Sequence, residues 1–340
     1  MKTLVKISII LFCLFFWSGC RETTVTTKVN RDGTFTRIIR ITGDSSDVFN
    51  WDLPYPIDST WVTSAGKDTS GENNYILTYS KSFGSADELN DILDSDTSWR
   101  RQLNRSVTIT KRFGFFYSYI RFTEKFSGIN PFNALNYTDY FTEEEALLLK
   151  HMPQTGETPD SVLLKQAEEK ADDFLSRSVV AELGQILKNG IRKLDVPGLD
   201  ESCVDLFHDS IAKQVERWDL EEPEKFIDLL QTWTGNEHLE ALHRVSPPLF
   251  TEFRKKIILF DHLIMMETYP EIVEMPGLIT GTNSISLKGN QVSWDVEALT
   301  LLFGDTEFYV ESRVINNWAF VVTGIILLLL AGVLVIRALK

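Results

Sequence analysis

All five histidines, His151, His208, His238, His243 and His262, fall in one stretch whose apolar pattern has a helical period. Two of them follow an acid at a spacing that suits metal chemistry: Asp205-x-x-His208 and Glu240-x-x-His243. Residues three apart share a helix face, so each pair would offer a carboxylate beside an imidazole, as di-metal sites in helical bundles do. Such sites need further inward carboxylates, and in a segment this acidic a His three residues after an acid arises from composition alone. The expectation is solvated surface histidines and no cofactor, with Asp205, His208, Glu240 and His243 as the residues a metal would use. Nucleophilic hydrolysis has no local signature, since Gly-x-Ser-x-Gly, His-Glu-x-x-His and the P-loop are all missing. The acid pairs Glu168-Glu169 and Asp172-Asp173 point mostly outward from a helix, which leaves general acid–base roles unsupported. No catalytic residue is assigned.

The cysteines and the chain ends speak to location. Residues 1–19 run from Lys2 and Lys6 through an apolar stretch, Ile7 to Trp17, to the small residues Ser18 and Gly19, the order of a signal peptide. The apolar stretch is about half of the ~20 residues a spanning helix needs. Small residues directly before Cys20 look like a bacterial lipobox, which makes Cys20 the expected diacylated, palmitate-type N-terminus. Trp17 departs from the usual Leu, and Cys13 is a poorer acceptor because Phe12 precedes it. Ordinary cleavage with Cys20 unmodified is the plainer alternative. Only Cys203 then remains in the body, so no intramolecular disulfide is available, and a buried small side chain is its expected role.

At the far end, residues 318–336 carry no charge, and at ~1.5 Å per residue they reach roughly 28 Å, close to a bilayer core. A transmembrane helix is expected, with Trp318 at the interface and Arg337 and Lys340 in a cytoplasmic tail, 337–340. The bulk lies outside the bacterial inner membrane in this reading. A formal charge of −14 excludes a general nucleic-acid binder.

Between the ends, the period changes twice. Asn30-Arg31-Asp32-Gly33 between two β-rich runs predicts a hairpin over Thr23 to Ile41. Strands are expected at Tyr75–Phe83, Ser106–Lys111 and Phe115–Phe126, with Ser85 and Glu88 capping a short helix between them. Phe116, Ile120, Phe122 and Phe126 mark one face of the third strand, and Phe115, Tyr117 and Tyr119 the other. Helices follow Tyr140, opening with a Thr142/Glu145 capping box and broken by the Pro153–Pro159 stretch, Pro223, Gly235 and Pro247-Pro248. From Asp139 to Glu267 there are 27 acidic and 14 basic residues, so 13 of the 14 net negative charges lie there. Strands return from Ile279, and a last one, Thr306 to Val314, leads into the membrane segment.

The lipobox, the Val29-Asn30-Arg31-Asp32-Gly33-Thr34 hairpin, Met275-Pro276-Gly277 to Thr282-Asn283, the Gly289-to-Trp294 turn and the terminal span together resemble LppM-type bacterial membrane-anchored lipoprotein domains. The resemblance covers about half the chain, rests on turn chemistry, and implies an envelope-facing β domain with no active-site residues to carry over. The helical segment departs from the compact version of that family.

The expected fold class is α+β. One antiparallel sheet is built from both chain ends (20–139 and 268–317), with the first and last strands as possible neighbours, and an acidic helical insert (140–267) projects from it. The expected function is presentation of a surface to an envelope protein partner by a chain anchored in membrane lipid at both ends. The alternatives are a metal-binding or enzymatic insert, and a lipid or apolar-ligand binder whose aromatic strand lines an open pocket at Tyr117 and Tyr119.

Overall fold

Gly33 takes a positive φ of 98°, and Asp32 accepts from the Thr34 backbone N–H at 3.0 Å, so the expected turn closes. It joins β1 (Glu22–Val29) to β2 (Phe35–Gly43) in full register, Thr27 opposite Arg37. The computed structural model describes residues 21–49, 53, 55–67, 75–150, 161–194, 200–215, 220 and 222–339. The signal segment, Cys20, His151, the Pro153–Pro159 stretch and Lys340 lie outside them.

The chain is α+β and divides into two compact units. One comprises the described residues within 21–127, 268–296 and 305–339. Its first half holds β1, β2, α1 (Ser45–Phe49), β3 (Val62–Lys67), β4 (Tyr75–Phe83), α2 (Ala86–Ser95), β5 (Arg105–Phe113) and β6 (Tyr117–Phe126). The remainder holds β7 (Tyr269–Glu274), β8 (Leu278–Thr282), β9 (Ser286–Lys288), β10 (Gln291–Val296) and β11 (Thr306–Ile315). These strands form two sheets, ordered β3-β4-β2-β1-β7-β10-β9 and β5-β6-β11-β8. The second sheet is antiparallel throughout, whereas the first contains one parallel pair, β1 with β7.

A single antiparallel sheet is thus replaced by two, and β1 and β11 are not neighbours. The alternation within each strand explains why: β1, β2, β6, β7, β10 and β11 each bury one side-chain row, and two layers facing each other satisfy all of them. Trp294 of β10 stacks on Phe308 of β11 at 5.1 Å, one of the contacts that close this core. At the end of β7, Met275-Pro276-Gly277 forms a tight approach to β11. A Cβ on Gly277 would stand 2.4 Å from the Arg313 carbonyl oxygen, and its φ is +89°. The glycine of that turn is therefore required by backbone contact.

The other unit comprises Gly128–Glu267 with Glu297–Gly304. Its helices are α3 (Glu143–Leu149), α4 (Ser161–Leu194), α5 (Ser202–Leu206), α6 (His208–Val215), α7 (Lys225–Thr234), α8 (Leu242–Ile264) and α9 (Ala298–Leu302). The Thr142/Glu145 capping box forms as expected. In α4 a buried stripe recurs every four residues, Ala171, Leu175, Val179, Leu183, Leu187 and Ile191. Its C-terminal part packs with Phe226, Leu230, Leu242, Phe250 and Phe253 in one apolar core. Pro247 and Pro248 do not break α8, which continues through them. Between Ser202 and Val215 the chain forms two short helices parted at Phe207.

β11 passes through one residue, Asn316, into α10 (Asn317–Ala338), which belongs to the sheet unit. At 22 residues it is long and apolar enough to cross a membrane, and Ala319 is its one buried residue.

Candidate functional site

The break at Phe207 decides the first candidate metal pair. Asp205 ends up in α5 and His208 opens α6, so the two do not occupy successive turns of one helix. Asp205 accepts from Lys188 at 2.5 Å, and His208 lies 3.5 Å from Asp209. In the second pair, Glu240 lies in a 3-10 turn, Glu237–Ala241, that runs directly into α8, where the His243 ring bonds Asp228 at 2.7 Å. Among the described residues no three His, Cys, Asp or Glu side chains gather as a metal would require. Cys203 is half-buried against the helical core, and burial, reinforced by Asp200, pushes its thiol up. Such a thiol forms thiolate reluctantly.

The aromatic strand has its expected inner face in part: Ile120, Phe122 and Phe126 are buried, but Phe116 is exposed. On the outer face, Tyr117 and Tyr119 are only half-buried. The guanidinium of Arg313 lies 4.6 Å from the Tyr117 ring centre, and that of Arg112 lies 4.7 Å from Tyr119. The tyrosines are thus half-buried and roofed by cations.

The greatest concentration of chemistry lies between the two sheets, in residues that the sequence reading passed over. Arg37 on β2 points inward and has no solvent exposure. Its Nη1 and Nη2 donate to Glu124 of β6 at 3.2 and 2.6 Å, a bidentate grip. Nη2 also donates to Glu271 of β7 at 3.2 Å, Nη1 to the Tyr55 hydroxyl at 3.0 Å, and Nε to Thr27 of β1 at 3.0 Å. Tyr55 donates to Glu271 at 2.9 Å, and Thr27 donates to it at 3.3 Å. Arg105 of β5 lies with its guanidinium between the rings of Tyr55 (4.0 Å) and Phe126 (4.5 Å), and donates to Tyr269 at 3.0 Å. Its Nε stands 3.4 Å from Glu124.

Burial makes this cluster electrostatically unequal. It disfavours every charge there, but Arg37 and then Arg105 outweigh it at Glu124, whose carboxyl is held below the usual range. Burial wins at Glu271, because Arg37 is already committed to Glu124 and the Glu124 carboxylate repels a second negative charge. The Glu271 carboxyl is pushed up to about 7. Burial likewise raises both tyrosines, Tyr269 to about 12. The site can therefore take up or release one proton near neutrality. When Glu271 is ionised the two guanidinium groups are balanced, and when it is protonated the cluster carries one net positive charge.

Substrate access is another matter. Glu124 and Glu271 have no solvent exposure, and the cavity beside Arg105, walled by Leu93, Asp96, Arg100 and Leu103, has a volume of about 10 Å³. That is room for one water molecule. The Arg105 Nη1 has no hydrogen-bond partner among the described residues.

Comparison of the chain with family models, with curated proteins and with solved structures finds no match in any of the three.

Proposed function

We propose that this chain is a membrane-anchored bacterial envelope lipoprotein of the LppM-type kind that works by presenting its extramembrane surface to a protein partner. In this reading α10 crosses the inner membrane with Arg337 and Lys340 on the cytoplasmic side, Cys20 carries lipid, and the helical unit is the contact region. The observation that carries it is the junction at Asn316: a strand of the folded body runs through this one residue into a long apolar helix, charged only at Arg337 in its last turn, in which Ala319 alone is buried. A second supporting fact is where the chemistry lies. The acid–base groups are sealed between sheets, while the helical unit exposes Leu206 (78%) and Ile258 (54%), the two positions at which partner contact is tested.

Membrane fractions of cells making the full chain test the anchoring. Resistance to carbonate extraction, together with an acyl mass that vanishes in Cys20→Ser, is expected. Extraction by carbonate, with no acyl mass, overturns the proposal. Photo-crosslinking residues placed at 206 and 258 should each yield the same discrete adduct, with none from exposed Ser64. No adduct at either helical position would remove the presentation role.

A further inference from the structure

The tip of the β5–β6 hairpin is apolar where a solvent-facing turn would be polar. Phe113, Phe115 and Phe116 are exposed by 65, 48 and 37%. Gly114 closes the turn by donating to the Tyr117 carbonyl at 2.8 Å, and a Cβ there would meet that oxygen at 2.6 Å, so the conformation is built for glycine. The turn is bound to the root of α10. Asn316 Nδ2 donates to the carbonyls of Gly114 (2.7 Å) and Phe115 (3.2 Å), its Oδ1 accepts from Ser118 (3.1 Å), and its backbone N–H donates to Phe116 (2.9 Å). The rings follow: Phe113 and Phe115 lie 6.2 and 5.3 Å from Trp318, and Phe116 and Tyr117 lie 4.9 and 6.1 Å from Phe320.

Whatever surrounds the first turn of α10 therefore surrounds this hairpin. Trp318 and Phe320 are half exposed and stand one and three residues into the helix, which at ~1.5 Å per residue is within about 5 Å of its start. One register step back along the strands, Arg112, Tyr119 and Arg313 form a row across β5, β6 and β11, with both guanidinium groups stacked on tyrosines. Aromatic rings below and arginines just above them are the order of groups that a lipid interface accepts, rings at the acyl boundary and cations among phosphates. We propose that the Phe113–Phe116 hairpin tip is a second membrane-contacting element, seated in the phospholipid interface beside α10, with Arg112 and Arg313 at headgroup level. The sheet unit is then held on the bilayer by two points and cannot pivot on Asn316 alone. The inference rests on the reading of α10 as a membrane span.

The test separates the two claims. An environment-sensitive fluorescent amino acid is placed at 115, at 326 in mid-helix, or at 64 on exposed β3, in the full chain reconstituted in vesicles of phosphatidylcholine and phosphatidylglycerol. Some of the lipids are brominated at shallow or deep acyl carbons. Position 326 should be quenched best by deep bromines, position 115 best by shallow ones, and position 64 by neither. If 326 is quenched while 115 behaves like 64, the hairpin proposal falls and the span stands. If neither 326 nor 115 is quenched, both fall. The chain with Phe115→Ser serves as a second check: its tip should lose part of the shallow quenching of a probe at 113, and unchanged quenching there counts against the proposal.

Discussion

Replacing Glu271 by Gln isolates the proton held between the sheets. Glu271 sits near 7 in the folded protein against an ordinary 4.5, so between those values the folded state binds more protons than the unfolded one. Stability from this group is fully present below pH 4.5 and is lost as pH rises through 7, the opposite of the usual carboxylate. A shift of that size corresponds to about 3 kcal/mol. Glu124, held low by Arg37 and Arg105, contributes in the other sense, stability that is lost as pH falls below the ordinary carboxylate range. The interval from pH 5 to 8 therefore belongs to Glu271. The Gln variant keeps the shape and an acceptor for Tyr55 but cannot ionise, and groups it does not touch cancel in the difference from the parent. Urea unfolding of both proteins in detergent, followed by near-ultraviolet circular dichroism, should give stabilities within about 1 kcal/mol at pH 5. At pH 8 the variant should be the more stable by roughly 2–3 kcal/mol. A difference that stays flat across this range, or that turns against the variant as pH rises, refutes the account of Glu271 as a carboxyl kept protonated by burial.

Three other outcomes follow from the same contacts. Arg37→Leu leaves Glu124 and Glu271 facing each other without their shared fork, and should cost about 3–5 kcal/mol in urea unfolding, part of which returns when both acids are also made Gln. Gly277→Ala puts a methyl group against the Arg313 carbonyl at a positive φ and should lower stability by at least about 2 kcal/mol, readable as a fall in melting temperature. Asn316→Ala deprives two carbonyls and the Ser118 hydroxyl of partners, about 1–2 kcal/mol of local stability. It should speed amide hydrogen exchange in residues 114–118 while leaving carbonate resistance unchanged.

The buried cluster was partly written in the strands. In Phe35-x-Arg37-x-Ile39-x-Ile41, and again in Phe122-x-Glu124-x-Phe126, a charge occupies the inward row of an alternating pattern, a local signal that an ion is to be buried. What no local pattern contains is the partner. Arg37 and Glu124 are 87 residues apart, and Arg37 and Glu271 are 234 apart. β7 itself escaped the sequence reading because Pro270, Glu271 and Glu274 interrupt its apolar run. It is a strand because β1 and β10 flank it, the first in parallel. The acid-to-His spacing at Asp205 and His208 shows a related limit: a spacing of three is a shared face only if the helix is unbroken, and here it is parted at Phe207.

Short-range physics therefore determined much of this protein from its residues alone. The Asp32-Gly33 turn, the caps at Ser85 and Thr142, the four-residue stripe of α4 and the uncharged length of α10 each depend on neighbours within a few positions, whose sterics and hydrogen bonds do not await the rest of the chain. Tertiary structure decided the division into two sheets, the parallel seat of β7, the meeting of two arginines with two carboxylates and the docking of an aromatic hairpin on the helix root. These are pairings of distant segments, chosen because burying one face of each strand leaves few alternatives, and that constraint exists only once the layers close.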